Sequence, residues 1–360
     1  MTIEDVCAFL GQMAPEDTAE AWDNPGLLVT GRCRELSAVL VTLDVTPAAL
    51  EEAEREGAGL IVSHHPVIFD PLRRLDAEEM PYRLAAAGIA AYAAHTNLDN
   101  APGGVNFKIA EKIGLKNVRI LDPKESSLIK LVTFVPSAQA EEVRNALFTA
   151  GCGCIGNYDS CSYNTEGEGT FRAQEGSHPF CGTVGELHHE TEVRIETILP
   201  EYKKGEVIRA LLSKHPYEEP AYDLYPLHNS WAQVGSGIVG ELEEPESELE
   251  FLKRIKKRFE VGCLKHNKLT GRLIQKVSLC GGAGAFLIPQ AVRSGADVFI
   301  TGEIKYHDYF GRETDILLAE IGHYESEQYT KEIFYSIIRD LFPNFALQFS
   351  KVNTNPIKYL

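Results

Sequence analysis

The chain has 360 residues, 44% of them apolar and 24% charged, with 35 Lys plus Arg against 52 Asp plus Glu and a formal net charge of -17. That length predicts two or three domains of ordinary globular composition. The acidic balance argues against nucleic acid or an anionic membrane surface as the main partner, because phosphate contacts need clustered cations.

The first residues, Met1-Thr2-Ile3-Glu4-Asp5, carry no basic region or long apolar run, so no signal peptide is expected. No stretch approaches the roughly 18 apolar residues of a membrane helix. Residues 3–12 read as a short amphipathic helix. Ala21-Trp22-Asp23-Asn24-Pro25-Gly26-Leu27 is turn-rich, with Trp22 expected to plug a domain edge. Strands at 38–43, 59–62 and 90–94 alternate with helices at 48–56 and around Arg83-Leu84-Ala85-Ala86. Continuous apolar strands separated by helices imply a parallel sheet covered on both faces.

The second strand ends in Ser63-His64-His65-Pro66, where Pro66 keeps His65 out of the helical region. Neighbouring side chains on extended backbone diverge, so each imidazole is free to serve a different metal ion. The third strand ends in His95-Thr96-Asn97-Leu98-Asp99, and parallel strands place this segment on the same sheet edge as the histidine pair. Pro102-Gly103-Gly104 then turns the chain into a helix.

From about 126 to 227 the texture changes. A strand at 128–134, a helix at 138–147, a Gly-, Ser-, Tyr- and Thr-rich hairpin region at 151–191, a strand at 193–198, a helix at 207–212 and a strand at 220–225 follow one another. This β-α-β-β-α-β order is that of a ferredoxin-like unit, read as an inserted α+β domain. The basic run Lys253-Arg254-Ile255-Lys256-Lys257-Arg258 reads as the wet face of a helix. Strands at 276–280, 296–300 and 316–319 then repeat the first plan, which predicts two similar α/β lobes, 1–125 and 230–360, around an insert at 126–229. The turn Gly281-Gly282-Ala283-Gly284 lacks the third glycine of a dinucleotide fingerprint and reads as a tight turn allowing close backbone approach.

The last of these strands ends in Gly322-His323-Tyr324-Glu325-Ser326-Glu327. His323 and Glu327 are four residues apart and share one face if the helix begins there. His64, His65, Asp99, His323 and Glu327 therefore form a candidate metal-ligand set, with His95 close by. Imidazole and carboxylate suit zinc, manganese, iron or nickel, and a site without thiolate does not choose among them. Five ligands shared by two divalent ions leave open coordination positions, which points to catalysis. Glu303 and His307 follow a strand on the same edge of the second lobe and are candidates for a supporting or proton-transfer role. His188, His189, His215, His228 and His266 read as surface residues.

The eight cysteines, Cys7, Cys33, Cys152, Cys154, Cys161, Cys181, Cys263 and Cys280, form no paired zinc spacings and read as reduced thiols of a cytoplasmic protein. Neither a GxxxxGK[ST] phosphate loop nor a GxSxG elbow is present.

The motifs Trp22-Asp23-Asn24-Pro25-Gly26-Leu27, Ser63-His64-His65-Pro66, His95-Thr96-Asn97-Leu98-Asp99 with Ala101-Pro102-Gly103-Gly104-Val105-Asn106, and Gly322-His323-Tyr324-Glu325-Ser326-Glu327 resemble those of the GTP cyclohydrolase 1 type 2 homologue family, the NIF-three-like proteins. The resemblance implies two related α/β lobes with a dinuclear metal centre between them, and places the family's ligands on His64, His65, Asp99, His323 and Glu327. It also implies a ring-shaped homohexamer. The insert, including His215-Pro216-Tyr217-Glu218-Glu219-Pro220, resembles a PII-like or CutA-like domain that trimerises and caps the ring. Phe107 departs from the small or acidic residue that many members carry there, with an expected effect on how the helix starts rather than on metal binding.

The family name implies opening of the guanine ring of GTP. Metal-activated water attacking C8, with His95 or His307 moving protons, fits that name, as does phosphoester hydrolysis on a small nucleotide. The alternative is a regulatory or metal-handling protein whose insert senses a small ligand. No membrane partner is expected.

Overall fold

A computed structural model describes residues 1–32, 35–312, 314–343 and 345–360, so the expected thiol Cys33 lies outside the described residues. The chain divides into two compact units, Met1–Pro123 with Gln233–Leu360, and Lys124–Ala232.

In the first unit, α1 (Ile3–Met13) starts on Thr2, whose hydroxyl accepts from the Asp5 backbone while the Asp5 carboxylate accepts from the Thr2 backbone. Then come β1 (Gly26–Val29), β2 (Ala38–Thr42), α2 (Pro47–Arg55), β3 (Leu60–Ser63), α3 (Met80–Ala87), β4 (Ala90–Ala93), α4 (Thr96–Asn100) and α5 (Val105–Ile113). Every residue of β2, β3 and β4 is buried, and the three pair in parallel, as continuous apolar runs require. β1 begins at Gly26, inside the turn-rich stretch, and no strand was expected there; it pairs antiparallel with β4 at the sheet edge. Phe107 on α5 packs half-buried against the core.

After β5 (Lys116–Lys124), the second unit contains β6 (Leu128–Pro136), α6 (Ala140–Thr149), β7 (Ser162–Arg172), β8 (Leu187–Pro200), α7 (Lys204–Lys214) and β9 (Tyr222–Leu227). Its four antiparallel strands run in the order β7-β8-β6-β9, which is the topology the ferredoxin-like reading requires. Leu131, Val135 and Ile195 meet Val143, Leu147, Val207 and Leu211 from the two helices. β8 begins earlier than expected. Residues 187–191 pair with 168–172 of β7 past the end of β6, as a two-stranded arm. His215 is a correction to the sequence reading: it is buried, with Nε2 on the Phe134 carbonyl and Nδ1 accepting from the Tyr217 backbone.

The chain re-enters the first unit along β10 (Trp231–Ser247), then α8 (Glu248–Arg258), β11 (Lys265–His266), β12 (Leu273–Cys280), α9 (Ile288–Arg293), β13 (Val298–Thr301), β14 (Leu317–Glu320), α10 (His323–Glu327), α11 (Thr330–Leu341) and β15 (Ala346–Phe349). β12, β13 and β14 pair in parallel inside a six-stranded sheet ordered β11-β14-β13-β12-β10-β5. α8 buries Phe251, Leu252 and Ile255 and leaves Lys253, Lys256, Lys257 and Arg258 exposed, so its basic run is indeed a wet face.

One strand crosses the expected division. β15 pairs in parallel with β2, completing a five-stranded sheet ordered β1-β4-β3-β2-β15. The two sheets share one core in which Leu98, Val105 and Ile109 pack with Phe251, Leu279, Ile300 and Phe334. A strand 346–349 could not be assigned to the first sheet by local pattern, because its partner lies some three hundred residues away. Among the described residues no helix is long and apolar enough to cross a membrane.

Candidate metal centre

Both sheets of the first unit aim the carboxyl ends of their parallel strands at one cleft, the position at which open α/β sheets bind ligands. Just past the end of β3 the chain bends, and the backbone N–H groups of His64 and His65 both donate to the Leu43 carbonyl, so the pair does not continue the extended strand as expected. Their rings diverge, with centroids 5.0 Å apart and planes inclined at 46°. His64 is fully buried and its Nδ1 lies 2.9 Å from the Ala94 carbonyl. A carbonyl only accepts, so Nδ1 carries a hydrogen and Nε2 is the atom that faces the cleft.

His65 and His323 repeat this device with carboxylates. His65 Nδ1 is 2.6 Å from Asp44 Oδ1, and His323 Nδ1 is 2.7 Å from Glu303 Oε1. Asp44 is itself held by the Thr354 hydroxyl. His95 Nδ1 lies 2.8 Å from Asp23 Oδ1, while the other Asp23 oxygen accepts from the backbone and hydroxyl of Thr96. Each imidazole is thus anchored on its outer nitrogen.

Glu327 sits where the inner nitrogens converge. Its Oε1 is 3.6 Å from His64 Nε2, and its Oε2 is 3.0 Å from His65 Nε2 and 3.1 Å from His323 Nε2. Asp99 Oδ1 lies 3.7 Å from His64 Nε2. His64 with Asp99 and Glu327, and His65 with His323 and Glu327, each bring donor atoms within 4.8 Å of one another; His64, His65 and His95 form a third such group. The helical spacing of His323 and Glu327 is real, since α10 begins on His323.

The residues fit a metal on their own evidence. His64 Nε2, Asp99 Oδ1 and Glu327 Oε2 are buried and lack a hydrogen-bond partner, and each is a ligand atom. Electrostatics agree. Burial would push Glu327 up, but His64, His323 and His65 hold it well below the usual carboxylate range. Burial and the neighbouring Glu327 charge push Asp99 up against the pull of His64, as two carboxyls in one site do. Burial lowers His65, yet Asp44 and Glu327 outweigh it and raise the ring to about 10; Glu327 likewise brings His323 to about 9. Cys280, buried at the end of β12, is pushed well up by burial, Asp99 and Glu327, and it belongs to none of these donor groups.

The backbone makes room for the ligands at Gly282, the turn read as a close approach. Its φ is +58°, and a Cβ there would lie 2.4 Å from Glu327 Oε1. Asn106 ties the two sheets together, accepting from the Gly281 backbone and donating to the Asp99 carbonyl.

All five expected ligands therefore meet in one cleft, with His95 beside them and Glu303 supporting His323. His307 does not join them: it lies exposed on the turn Tyr306–Tyr309, its ring against Tyr306 and Phe310. Trp22 plugs no edge; it is 59% exposed, 5.6 Å from Phe69, which is also exposed, and both rings flank His95 at 6.1 and 6.3 Å. Asp44 and Asp23 were missed as supports. Asp44 follows the end of β2 on the same sheet edge as the two histidine segments, so the strand-end argument applied once more would have found it.

The chain is similar to known proteins along nearly its whole length. A "GTP cyclohydrolase 1 type 2 homolog" of Halalkalibacterium halodurans is 38% identical over 366 residues, covering 99% of this chain and 98% of that protein. One of the same name from Bacillus subtilis is 35% identical over 367 residues, with 99% and 98% covered. The crystal structure of a Bacillus cereus protein related to NIF3 superposes with a TM-score of 0.86 at 35% identity, covering 100% of this chain and 99% of that one. The profile of the Duf34/NIF3 family (NGG1p interacting factor 3) matches residues 1–356, and the chain belongs to that family.

Proposed function

We propose that the chain is a hydrolase working through two divalent metal ions, with GTP or another nucleotide as substrate. The observation that carries this reading is the split of Glu327, which turns one oxygen toward His64 and the other toward His65 and His323. His64, Asp99 and Glu327 would hold one ion, and His65, His323 and Glu327 the other. Zinc, iron, manganese and nickel all suit this donor set. Ions held there supply Lewis acidity and a nucleophile from water near neutral pH.

The chain's own residues supply the rest. Asp23 stays ionised because hydrogen bonds from His95 and Thr96 overcome burial and hold its carboxyl at about 2. It thereby fixes the His95 ring, which faces those of His64 and His65 edge-on at 5.2 and 5.4 Å. His95 is the group to hold or move a proton at the cleft; His307, on its exposed turn, has no such contact. Trp22 and Phe69 offer exposed ring faces beside it, which suits a planar base. The name of the bacterial relatives supports a nucleotide substrate.

Turnover of a nucleotide panel by metal-loaded protein beside a His65→Ala variant tests the reading. Activity should collapse in the variant; equal residual activity in both sinks it. A second reading is a metal-handling protein with a ligand-sensing insert. It is favoured by a cavity of about 880 Å³ in the inserted unit, walled by Phe134, Phe171, Phe180 and Tyr217. Calorimetric nucleotide binding by the full chain without turnover of any nucleotide would select it.

The family resemblance supports assembly as a homohexameric ring with trimer contacts through a PII/CutA-like insert, which native mass measurement tests. The seven described cysteines are free, which supports a reducing, cytoplasmic setting.

A further inference from the structure

We infer that the inserted unit carries a metal site of its own, built from Cys181, His188 and Glu190, that takes a thiophilic divalent ion such as zinc. It is independent of the cleft centre and of any hydrolase reading. His188 and Glu190 are two residues apart on β8 and so share a face, with Glu192 next along it. Burial alternates accordingly: 188 and 190 are half-buried and 192 is buried, while 187, 189 and 191 are exposed. Cys181 reaches the same face from the loop between β7 and β8. One donor atom from each of the three lies within 4.8 Å of the others. Tetrahedral zinc holds its ligands roughly 3.5 Å apart, so side-chain closure of about 1 Å completes the set.

The surroundings are built around these three groups. His188 Nε2 is 2.9 Å from Glu190 Oε2, and its ring packs on Phe171 at 5.2 Å, which fixes the imidazole. The loop comes so close at Gly182, with φ +79°, that a Cβ there would lie 2.8 Å from His188 Cγ. Only glycine permits that approach. Tyr217 Oη lies 3.9 Å from Cys181 Sγ and donates to Glu192 at 2.7 Å. Sulfur, imidazole and one carboxylate make a set that suits zinc and disfavours calcium or magnesium, which take oxygen.

Binding replaces the Cys181 S–H bond with a sulfur–metal bond and releases that proton to solvent. Three protein ligands leave one position, and Phe171, Glu192 and Tyr217 beside the site also wall the 880 Å³ cavity. The ion would pin the loop that carries Gln174, Ser177 and Phe180 into the same wall.

Cobalt(II) titrated into the reduced full-length protein reads the site, because only a cysteine ligand gives a thiolate-to-cobalt charge-transfer absorption and the cleft's donor groups contain no cysteine. The expected result is a band saturating at one thiolate-bound cobalt per chain, bleached by zinc, unchanged in Cys154→Ser, lost in Cys181→Ser and weakened at least tenfold in affinity in His188→Gln. In the unaltered protein zinc should also shield Cys181, and not Cys154, from alkylation followed by mass spectrometry. A band that survives Cys181→Ser, a full-strength band in His188→Gln, or no band and no shielding in the unaltered protein overturns the assignment.

Discussion

Nε2 of His65 lies 3.3 Å from Nε2 of His323, a residue 258 positions further along the chain. Two imidazole nitrogens that close are within reach of one shared metal ion. Behind each ring stands a carboxylate, Asp44 for one and Glu303 for the other, so the pair is aimed as well as adjacent.

Glu327 serves both donor groups, so its loss should cost more than the loss of any single histidine. Glu327→Gln is expected to remove bound metal almost completely, while His64→Ala and His65→Ala each leave a partial complement. Asp44→Asn keeps every ligand but lets the His65 ring turn, and should weaken metal affinity by about 10- to 100-fold. Elemental analysis after dialysis against graded chelator measures all four.

The two raised imidazoles give the metal-free protein a distinctive pH response. His65 and His323, at about 10 and about 9 when folded, start from 6.5 when unfolded. The folded state binds more protons between those values, so the stabilisation is full below about pH 6.5 and is lost as pH rises through 9 to 10. Thermal midpoints measured in chelator should fall over that window. With metal bound the trend reverses at the acid end, because protons compete for the same nitrogens. A flat profile for the metal-free protein would count against the geometry.

Gly282→Ala tests the close approach of backbone to ligand. The new methyl meets the far end of the Glu327 side chain rather than backbone, so the carboxylate is what must shift. The left-handed backbone adds about 1 kcal/mol. The expected outcome is a folded protein, slightly less stable in urea, with much reduced metal content; full metal content would show that the turn has slack.

Trp22→Ala should raise KM for a nucleotide substrate by about tenfold, the scale of one lost base–aromatic stack, and leave kcat nearly unchanged. The indole is mostly exposed, so stability should hardly move. Steady-state kinetics with and without the substitution separate this from a structural role.

Glu52, buried on α2, accepts from the Ser350 hydroxyl at 2.6 Å and the Lys351 backbone at 3.0 Å, closing the tail that follows β15. Glu52→Ala leaves both donors unpaired and should cost about 1–3 kcal/mol. Urea unfolding gives the cost, and limited proteolysis should cut first beyond residue 350.

Much of the fold was legible along the chain because its signals are local. Apolar runs of four to six residues announced β2, β3 and β4, and an interval of four residues put His323 and Glu327 on one face of a helix. β1 was hidden by its turn residues, and β15 by having its partner far away in β2. Residue types at strand ends named the five ligands, but not their supports: Asp44, Asp23 and the Ala94 carbonyl are ordinary residues until sheet register brings them to an imidazole. His188 and His215 were read alike as surface residues, and only packing distinguished them, His215 buried under the Phe134 carbonyl and His188 turned toward a thiol. Sequence by itself determined which side chains exist at which strand ends, since period and propensity act over a few residues. The tertiary structure alone decided which of them meet, because contact between His65 and His323 is set by how two sheets pack, and packing couples positions that no local pattern relates.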